Sequence, residues 1–585
     1  MTARPRALSA STMCEAFQIT AEEWADSPAL RLKDSDYEAS FADYAAAVRR
    51  RAAGFAALGV KRGDTVGFML VNRPAFHLCD CAAMHLGATC FSVYNTSSPE
   101  QVEYVVGDAG CRTIVTEQAF LDRVLAAREQ VEGLEQVVVV DGEAPPGTIS
   151  LAELESMGEP GFDFEAAWRA VEPEDVLCLI YTSGTTGPPK GVQLTHANMV
   201  AQWRACDAVF EAEPGGRSIS FLPSAHIADR WAQLYGQMMY GSCVHCCPDP
   251  KQMVFYSIEV RPTLWGGVPR IWEKLKVALE GMFAAEADPA KREATERALE
   301  VGRRYAAANL AGEVPAELRA EWERADEEVF SKVREMLGLD QVREFAVGAA
   351  PTPPEVLEFF LAMGIEICEL WGMSETAAVA TLNPPGRVRV GTVGPPLPGI
   401  EVKLAEDGEV MVRGPVVMKG YRNMPERTAE VMTEDGWLLS GDVGEFDEHG
   451  YLRIVDRKKE LIINAAGKNM SPASIEAKLK AASPLIAHVV AIGDRRPYNV
   501  ALVVLDQEAL AARGAASGDP EIAAELERAV EAANQRLSRV EQVKRFKVLE
   551  GEWAPGGEEL TPTLKLRRRP IERRYEAEIE ALYAG

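Results

Sequence analysis

The chain has 585 residues, enough for several domain-sized units around sizeable cores. Its composition, 47% hydrophobic and 26% charged, is that of a globular protein and excludes fibrous and wholly disordered classes. A formal net charge of -26 repels nucleic acid and anionic lipid wherever no local basic patch intervenes, so no nucleic-acid partner is expected.

The first thirty residues contain no apolar core of a signal peptide, and no apolar stretch approaches the ~20 residues that span a bilayer. The expectation is a cytoplasmic protein with no transmembrane segment, whose membrane contact is at most peripheral. The 11 cysteines are odd in number and sit mostly inside apolar runs, which suits buried thiols better than a disulfide framework. "CVHCC", Cys243 to Cys247, reads as a strand whose neighbouring side chains face opposite ways, and no second ligand pair stands at a zinc-finger spacing.

From about Ser40 to Glu117, helix and strand patterns alternate. "DTVGFML" reads as a strand, "PAFHLCDCAAMHLG" as a helix ending at Gly87 and "TCFSVYN" as a strand. "SPEQVEYVVGDAG" follows as a helix capped by Ser98, then "RTIVTE" as a strand. Such alternation predicts a parallel sheet with helices on its faces.

"VLCLI", Val176 to Ile180, is a short buried strand leading into "YTSGTTGPPKG", Tyr181 to Gly191, and a helix opens near Thr195. Glycines and hydroxyls at Thr182, Ser183, Gly184, Thr185, Thr186 and Gly187, followed by Lys190, suit an anion cradle of backbone N–H groups. The same residues also make ordinary turns. A Walker A loop fails here because Pro188 and Pro189 precede the lysine and Gly191 follows it.

Further along, "SISFLP", a helix to Tyr240, "CVHCC" and a helix after Pro269 repeat the α/β texture. "VREFAVGAAP" and "IEICELWGMSE" read as strands ending in loops at Gly348 and Gly372. Ligands of open α/β sheets sit beyond such strand ends, so these loops are candidate walls of one pocket with the phosphate loop. Residues from about 275 to 337 form a charged helical insertion, and about 394 to 454 a small β subdomain with a hairpin turn at Asp407 and Gly408. A new unit begins at the charged segment "DRKKE", giving domains of 1–455 and 456–585 with a boundary at Asp456.

Six motifs in one order then carry a resemblance. "YTSGTTGPPKG", "VGAAP" at 347, "WGMSET" at 371, "LSGDVGEFDEHGYLRIVDRKKE", "NAAGKNMSP" at 464 and "LTPTLKLRR" at 560 resemble the adenylate-forming (AMP-binding) superfamily. "GVPRIWEKL" and "GAAPTPPEVLEFF" look most like its long-chain and very-long-chain (bubblegum-type) fatty acyl-CoA synthetases. The resemblance implies an α/β fold: a large N-terminal domain of stacked α/β sheets with a β subdomain, then a smaller mobile α+β lid. It implies a long-chain fatty acid:CoA ligase with ATP, coenzyme A and the fatty acid as substrates and Mg2+ as cofactor.

By the same resemblance, residues Thr182 to Gly187 and Lys190 hold the β and γ phosphates, and Thr182 and Glu375 serve the metal as hard oxygen ligands. Gly348, Ala349 and Ala350 approach the adenine, with Trp371 where the family more often has tyrosine; Gly372 and Ser374 complete that wall. Asp442 and Arg457 take the ribose, and Lys565 reaches the α-phosphate and the attacking carboxylate. His226 lies near the carboxylate, Arg230 and Trp231 at the acyl gate, and Gly467 and Lys468 beside the pantetheine passage. The lid rotates about Asp456 between half-reactions. Taken singly, several of these residues have plainer readings: Glu375 as a helix cap, Asp442 in a turn, Arg457 and Lys565 as exposed cations, His226 as a capped histidine. A ligase loading a carrier protein, an aryl-acid ligase, a catalytically silent nucleotide binder and a luciferase-like oxygenase remain as alternatives.

Overall fold

The computed structural model describes residues 4–182, 188–210, 212–463, 469–561 and 564–584. The central sheet has eight strands in the order Gly420–Tyr421, Lys190–Thr195, Val176–Thr182, Thr89–Ser92, Thr65–Met69, Thr113–Thr116, Gln136–Val139 and Ile149–Ser150. From Val176–Thr182 onward its pairings are parallel, as the alternating pattern predicts. The intervening helices begin where the sequence signals them. Ser98 and Thr195 each form a reciprocal capping box, with Gln101 and Asn198, that satisfies otherwise unpaired N–H groups of the first turn.

Two four-stranded sheets stand beside it. One joins Arg217–Ser220, Cys243–Cys246, Pro28–Leu32 and Glu38–Ser40; the other joins Leu264–Gly267, Glu344–Val347, Ile367–Trp371 and Thr381–Leu382. All eleven cysteines are buried free thiols. The helical insertion consists of Pro269–Ala284, Pro289–Leu310 and a run from Ala316 to Met336 with a π-helical turn. The helix expected up to Tyr240 also contains a π-helical stretch, Arg230–Tyr235.

The β subdomain is an antiparallel sheet of Glu401–Leu404, Glu409–Arg413, Leu438–Phe446 and Leu452–Arg457, with Gly408 at φ 82° in the first turn. Its last strand outruns the expected end at Ile454: Asp456 and Arg457 still pair with Val443 and Asp442. The Arg457 side chain bonds the Asp442 carboxylate across the ladder, which holds the strand together where the charged sequence reads as a turn.

The smaller C-terminal domain is built on Ile486–Ile492, Asn499–Leu505 and Val543–Leu549, packed by helices Pro472–Ala482 and Pro520–Gln535. Ion pairs fasten it to the helix Pro269–Ala284: Arg270 to Asp506 at 2.5 Å, Lys480 to Glu273 at 3.1 Å and Lys274 to Glu508 at 2.8 Å. Among the described residues, no helix is long and apolar enough to cross a membrane.

Candidate active site

Strands Val176–Thr182 and Lys190–Thr195 form an antiparallel hairpin whose last rung pairs Thr182 with Lys190. The expected phosphate loop therefore springs from the carboxyl end of a buried strand. Ser183, Gly184, Thr185, Thr186 and Gly187 lie outside the described residues. Gly191 packs closely on this hairpin: a Cβ there would sit 3.1 Å from the Tyr181 ring and would have to push it aside. Lys190 Nζ lies 4.0 Å from the centroid of the Tyr421 ring. Burial lowers the lysine's pKa from the usual range, and the charge of Glu375 acts in the opposite direction.

Glu375 stands on a short 3-10 turn, Ser374–Thr376, just past strand Ile367–Trp371. It is only 6% exposed, and its Oε1 accepts a 2.8 Å hydrogen bond from the Tyr421 hydroxyl. Its carboxylate thus has a tertiary partner rather than a helix N-terminus to cap. The preceding Gly372 is sterically required, since a Cβ would sit 2.0 Å from the Ala378 carbonyl oxygen. The neighbouring loop after Glu344–Val347 carries Gly348 and Ala349, the latter in the left-handed region at φ 71°, a position that favours small residues. Both line the cavity, whereas Ala350 is exposed.

Trp371 and Asp442 are buried together. The indole Nε1–H donates to Asp442 Oδ2 at 2.8 Å, while Arg457 Nε bonds Asp442 Oδ1 at 2.7 Å. Both oxygens of the carboxylate expected to face the ribose are held by protein, and the cavity wall beside them is made by Gly372, Ser440 and Gly441. The tryptophan replaces any phenol hydroxyl with a donor of its own.

From the other domain comes Lys565. The loop turns tightly there: Leu564 has φ 62°, its N–H donates to the Thr561 carbonyl, and the Lys565 N–H donates to Thr561 Oγ1 at 2.9 Å. The lysine lines the cavity and is exposed to the space within it. Desolvation within the cavity lowers its pKa, with Arg457 acting in the same direction and Asp442, Glu375 and Glu460 opposing.

His226 also lines the cavity and caps the helical turn that begins at Ile227; its Nδ1 accepts the Ala228 N–H at 3.1 Å. Burial, reinforced by the charge of Lys565, lowers its pKa to about 4, so the ring is neutral and carries its proton on Nε2. Trp231 lines the cavity, stacked on Trp203 at 5.1 Å between centroids.

Arg230 departs from the expectation. Its side chain is 0% exposed and bonds Asp80 at 2.8 Å, the Ser224 carbonyl and Ser92 Oγ, so it points into the core and not into the cavity. The adjacent Asp229 lines the cavity instead. Burial raises its pKa to about 7 against the Ser220 hydrogen bond and the Arg230 charge.

At the domain boundary, Asp456 accepts bonds from Ser471 Oγ at 2.5 Å and from the Ala473 N–H at 3.0 Å, anchoring helix Pro472–Ala482 to the end of the β subdomain. Gly467 and Lys468 lie outside the described residues. One cavity of ≈ 1510 Å³ collects Thr182, Lys190, His226, Glu375, Arg457 and Lys565, and its apolar lining includes Ile219, Phe221 and Trp265. Tyr421, which contacts both Lys190 and Glu375, has no signal in the sequence beyond an aromatic after a glycine.

Residues 17–422 match the AMP-binding enzyme family and residues 459–585 its C-terminal domain. The chain belongs to the AMP-binding enzymes. It is 33% identical to the long-chain-fatty-acid–CoA ligase FadD15 of Mycobacterium bovis over 93% of this chain and 92% of that protein. It is 31% identical to the long-chain-fatty-acid–CoA ligase ACSBG2 of Xenopus laevis over 98% of this chain and 84% of that one. A Mycobacterium tuberculosis protein provisionally named fatty-acid–CoA ligase fadD11 is 53% identical over 75% and 79% of the two chains. Among solved structures, the adenylation domain of a carboxylate reductase from Mycobacterium chelonae superposes with a TM-score of 0.77 at 20% identity, covering 100% of this chain and 94% of that one. The anthranilate CoA ligase AuaEII superposes at 0.74 with 19% identity, covering 97% and 98%. Both share the fold.

Proposed function

We propose that this chain is an ATP-dependent ligase that activates a long-chain fatty acid as acyl-AMP and transfers the acyl group to coenzyme A, releasing pyrophosphate and AMP. The observation that carries the reading is the convergence of Lys565 from the C-terminal domain with Lys190, Glu375 and His226 from the N-terminal domain on one cavity that is also lined by many apolar side chains. Two anions must meet in the first half-reaction, and a compact ammonium beside the α-phosphate offsets the charge they share. Lys190 and the loop before it hold the leaving pyrophosphate, and neutral His226 donates from Nε2 to the fatty-acid carboxylate without adding a charge. Arg457 and Asp442 take the ribose, with Trp371 fixing the carboxylate from behind.

The Thr182 hydroxyl and the Glu375 carboxylate are hard oxygen donors on the phosphate side of the same cavity, a set that suits Mg2+. Bound there, the ion would supply positive charge to the phosphates; Tyr421 orients the carboxylate that would hold it. The carrier that accepts the acyl group is coenzyme A, supported by the fatty-acid–CoA ligases the chain resembles along most of its length. The unit beginning at Asp456 rotates to remove Lys565 for the second half-reaction.

The test is pyrophosphate release across carboxylic acids of graded chain length, with and without coenzyme A. Release driven by aryl acids and not by fatty acids overturns the substrate assignment. Acyl-AMP that accumulates with no thioester overturns the acceptor.

A further inference from the structure

Lys565 works at the end of a loop, and something must hold that loop in register with the nucleotide side of the cavity. Three residues on, at the start of helix Arg568–Arg574, Arg568 is only 11% exposed and spends its guanidinium on two separate carboxylates. Nη1 and Nη2 reach the two oxygens of Glu476 at 2.6 and 2.7 Å. Nε reaches Glu460 Oε2 at 3.0 Å.

The two carboxylates belong to different parts of the machine. Glu476 sits on helix Pro472–Ala482 and also accepts the Ala491 N–H at 2.7 Å, so it is part of the C-terminal domain's own frame. Glu460 belongs to the connecting turn: its N–H donates to the Arg457 carbonyl at 2.9 Å, and the Lys458 N–H in the same turn donates to the Gly441 carbonyl at 2.9 Å. Arg457 bonds Asp442, and Lys458 Nζ bonds Glu409 at 2.7 Å, both in the β subdomain. A continuous polar chain therefore runs Asp442, Arg457, Glu460, Arg568, then through the loop to Lys565.

We infer that Arg568 and Glu460 are positioning residues for Lys565: their pairing fixes the lysine loop to the connecting turn in the adenylating arrangement and keeps the Glu460 carboxylate from capturing the Lys565 ammonium. This rests on the reading of Lys565 as the α-phosphate lysine. The chemical reason is competition for one anion. Glu460 lines the same cavity as Lys565, and its charge acts on that lysine. Released from Arg568, the carboxylate becomes an alternative partner for the ammonium that has to serve the reacting phosphate. A guanidinium satisfies Glu476 through its two-pronged fork and Glu460 through Nε at once in one fixed plane; an ammonium on a flexible stem has neither the fork nor the separate Nε–H, so it holds neither carboxylate in that geometry.

The experiment uses the full chain and measures the half-reactions separately: fatty-acid-dependent ATP–pyrophosphate exchange, and thioester formation from supplied acyl-AMP and coenzyme A. Arg568→Lys keeps a positive charge beside Glu476 while giving up the donor to Glu460. It is expected to lower exchange about tenfold and leave the thioester step within about twofold, since loss of one hydrogen bond to a charged group is worth about that much. Adding Glu460→Gln to that variant removes the freed anion and is expected to recover most of the lost exchange. Unchanged exchange in Arg568→Lys, an equal loss in both half-reactions, or a double variant no better than the single one overturns the inference. Lys565→Ala is run beside them: if it retains exchange, the underlying role of Lys565 fails, whereas if it alone loses exchange, only the positioning role of Arg568 and Glu460 fails.

Discussion

Trp371 and Asp442 are joined by a 2.8 Å hydrogen bond from the indole N–H to Oδ2, in a pair that is 8% and 5% exposed. With Arg457 on the other oxygen, the carboxylate is held in one rotamer before any nucleotide arrives. Trp371→Phe keeps the flat ring but loses the donor. A hydrogen bond to a charged group is worth about 1.5 kcal/mol, so AMP should bind roughly tenfold more weakly by calorimetry, with the fatty-acid KM unchanged. Affinity equal to that of the unaltered protein would remove Trp371 from the ribose side.

Lys565→Ala should abolish fatty-acid-dependent pyrophosphate exchange while sparing thioester formation from supplied acyl-AMP. In the proposed reaction the first step develops charge at the α-phosphate, where the ammonium would act, and the second does not need it. A parallel loss of both steps would mean that the residue holds the domain together and has no special part in adenylation.

Arg230 and Asp80 form an ion pair with both side chains at 0% exposure. Arg230→Met strands Asp80 without a counter-charge and should destabilise the N-terminal domain by about 3–5 kcal/mol, read as a lower urea midpoint. The double change Arg230→Met with Asp80→Leu should cost less, because neither charge is then left alone. If Arg230→Met instead raised the fatty-acid KM at unchanged stability, the side chain would belong to the acyl channel after all.

Asp229 gives a signed pH dependence. Burial raises its carboxyl from 3.8 to about 7 in the folded chain. Between these values the folded state binds the proton more tightly than the unfolded one, so this group's contribution to stability falls as pH rises from about 4 to 7. Asp229→Asn cannot ionise; its stability relative to the unaltered protein should improve from pH 5 to pH 8 in denaturant titrations. Identical profiles would show that Asp229 is ionised in the fold at pH 5.

The strand-and-helix order was legible because each element carries its own local signal: a reciprocal cap at Ser98 or Thr195, an apolar run at Val176, an Asp-Gly turn at 407. The prolines after Gly187 excluded an immediate helix, but the antiparallel strand Lys190–Thr195 that follows them carries no signal of its own apart from the short apolar alternation before Thr195. The contacts that build the cavity were hidden, because they join residues far apart in the chain. Tyr421 finds Glu375, Trp371 finds Asp442, and Arg230 turns to Asp80, each through packing that no periodicity encodes. Arg230 misled for a physical reason: at the start of a π-helical stretch, one residue of register decides between core and cavity, and Asp229 took the cavity side. The strand past Ile454 was missed because its charged residues look like a turn until Arg457 is seen opposite Asp442.

The most direct test of the account is exchange of radiolabelled pyrophosphate into ATP with palmitate and with benzoate as the acid, followed by mass-spectrometric detection of the product once coenzyme A is added. Exchange with palmitate that is lost in Lys565→Ala, and palmitoyl-CoA as the final product, are the expected results. Exchange driven by benzoate alone, or palmitate exchange undiminished in Lys565→Ala, would contradict the proposed reaction.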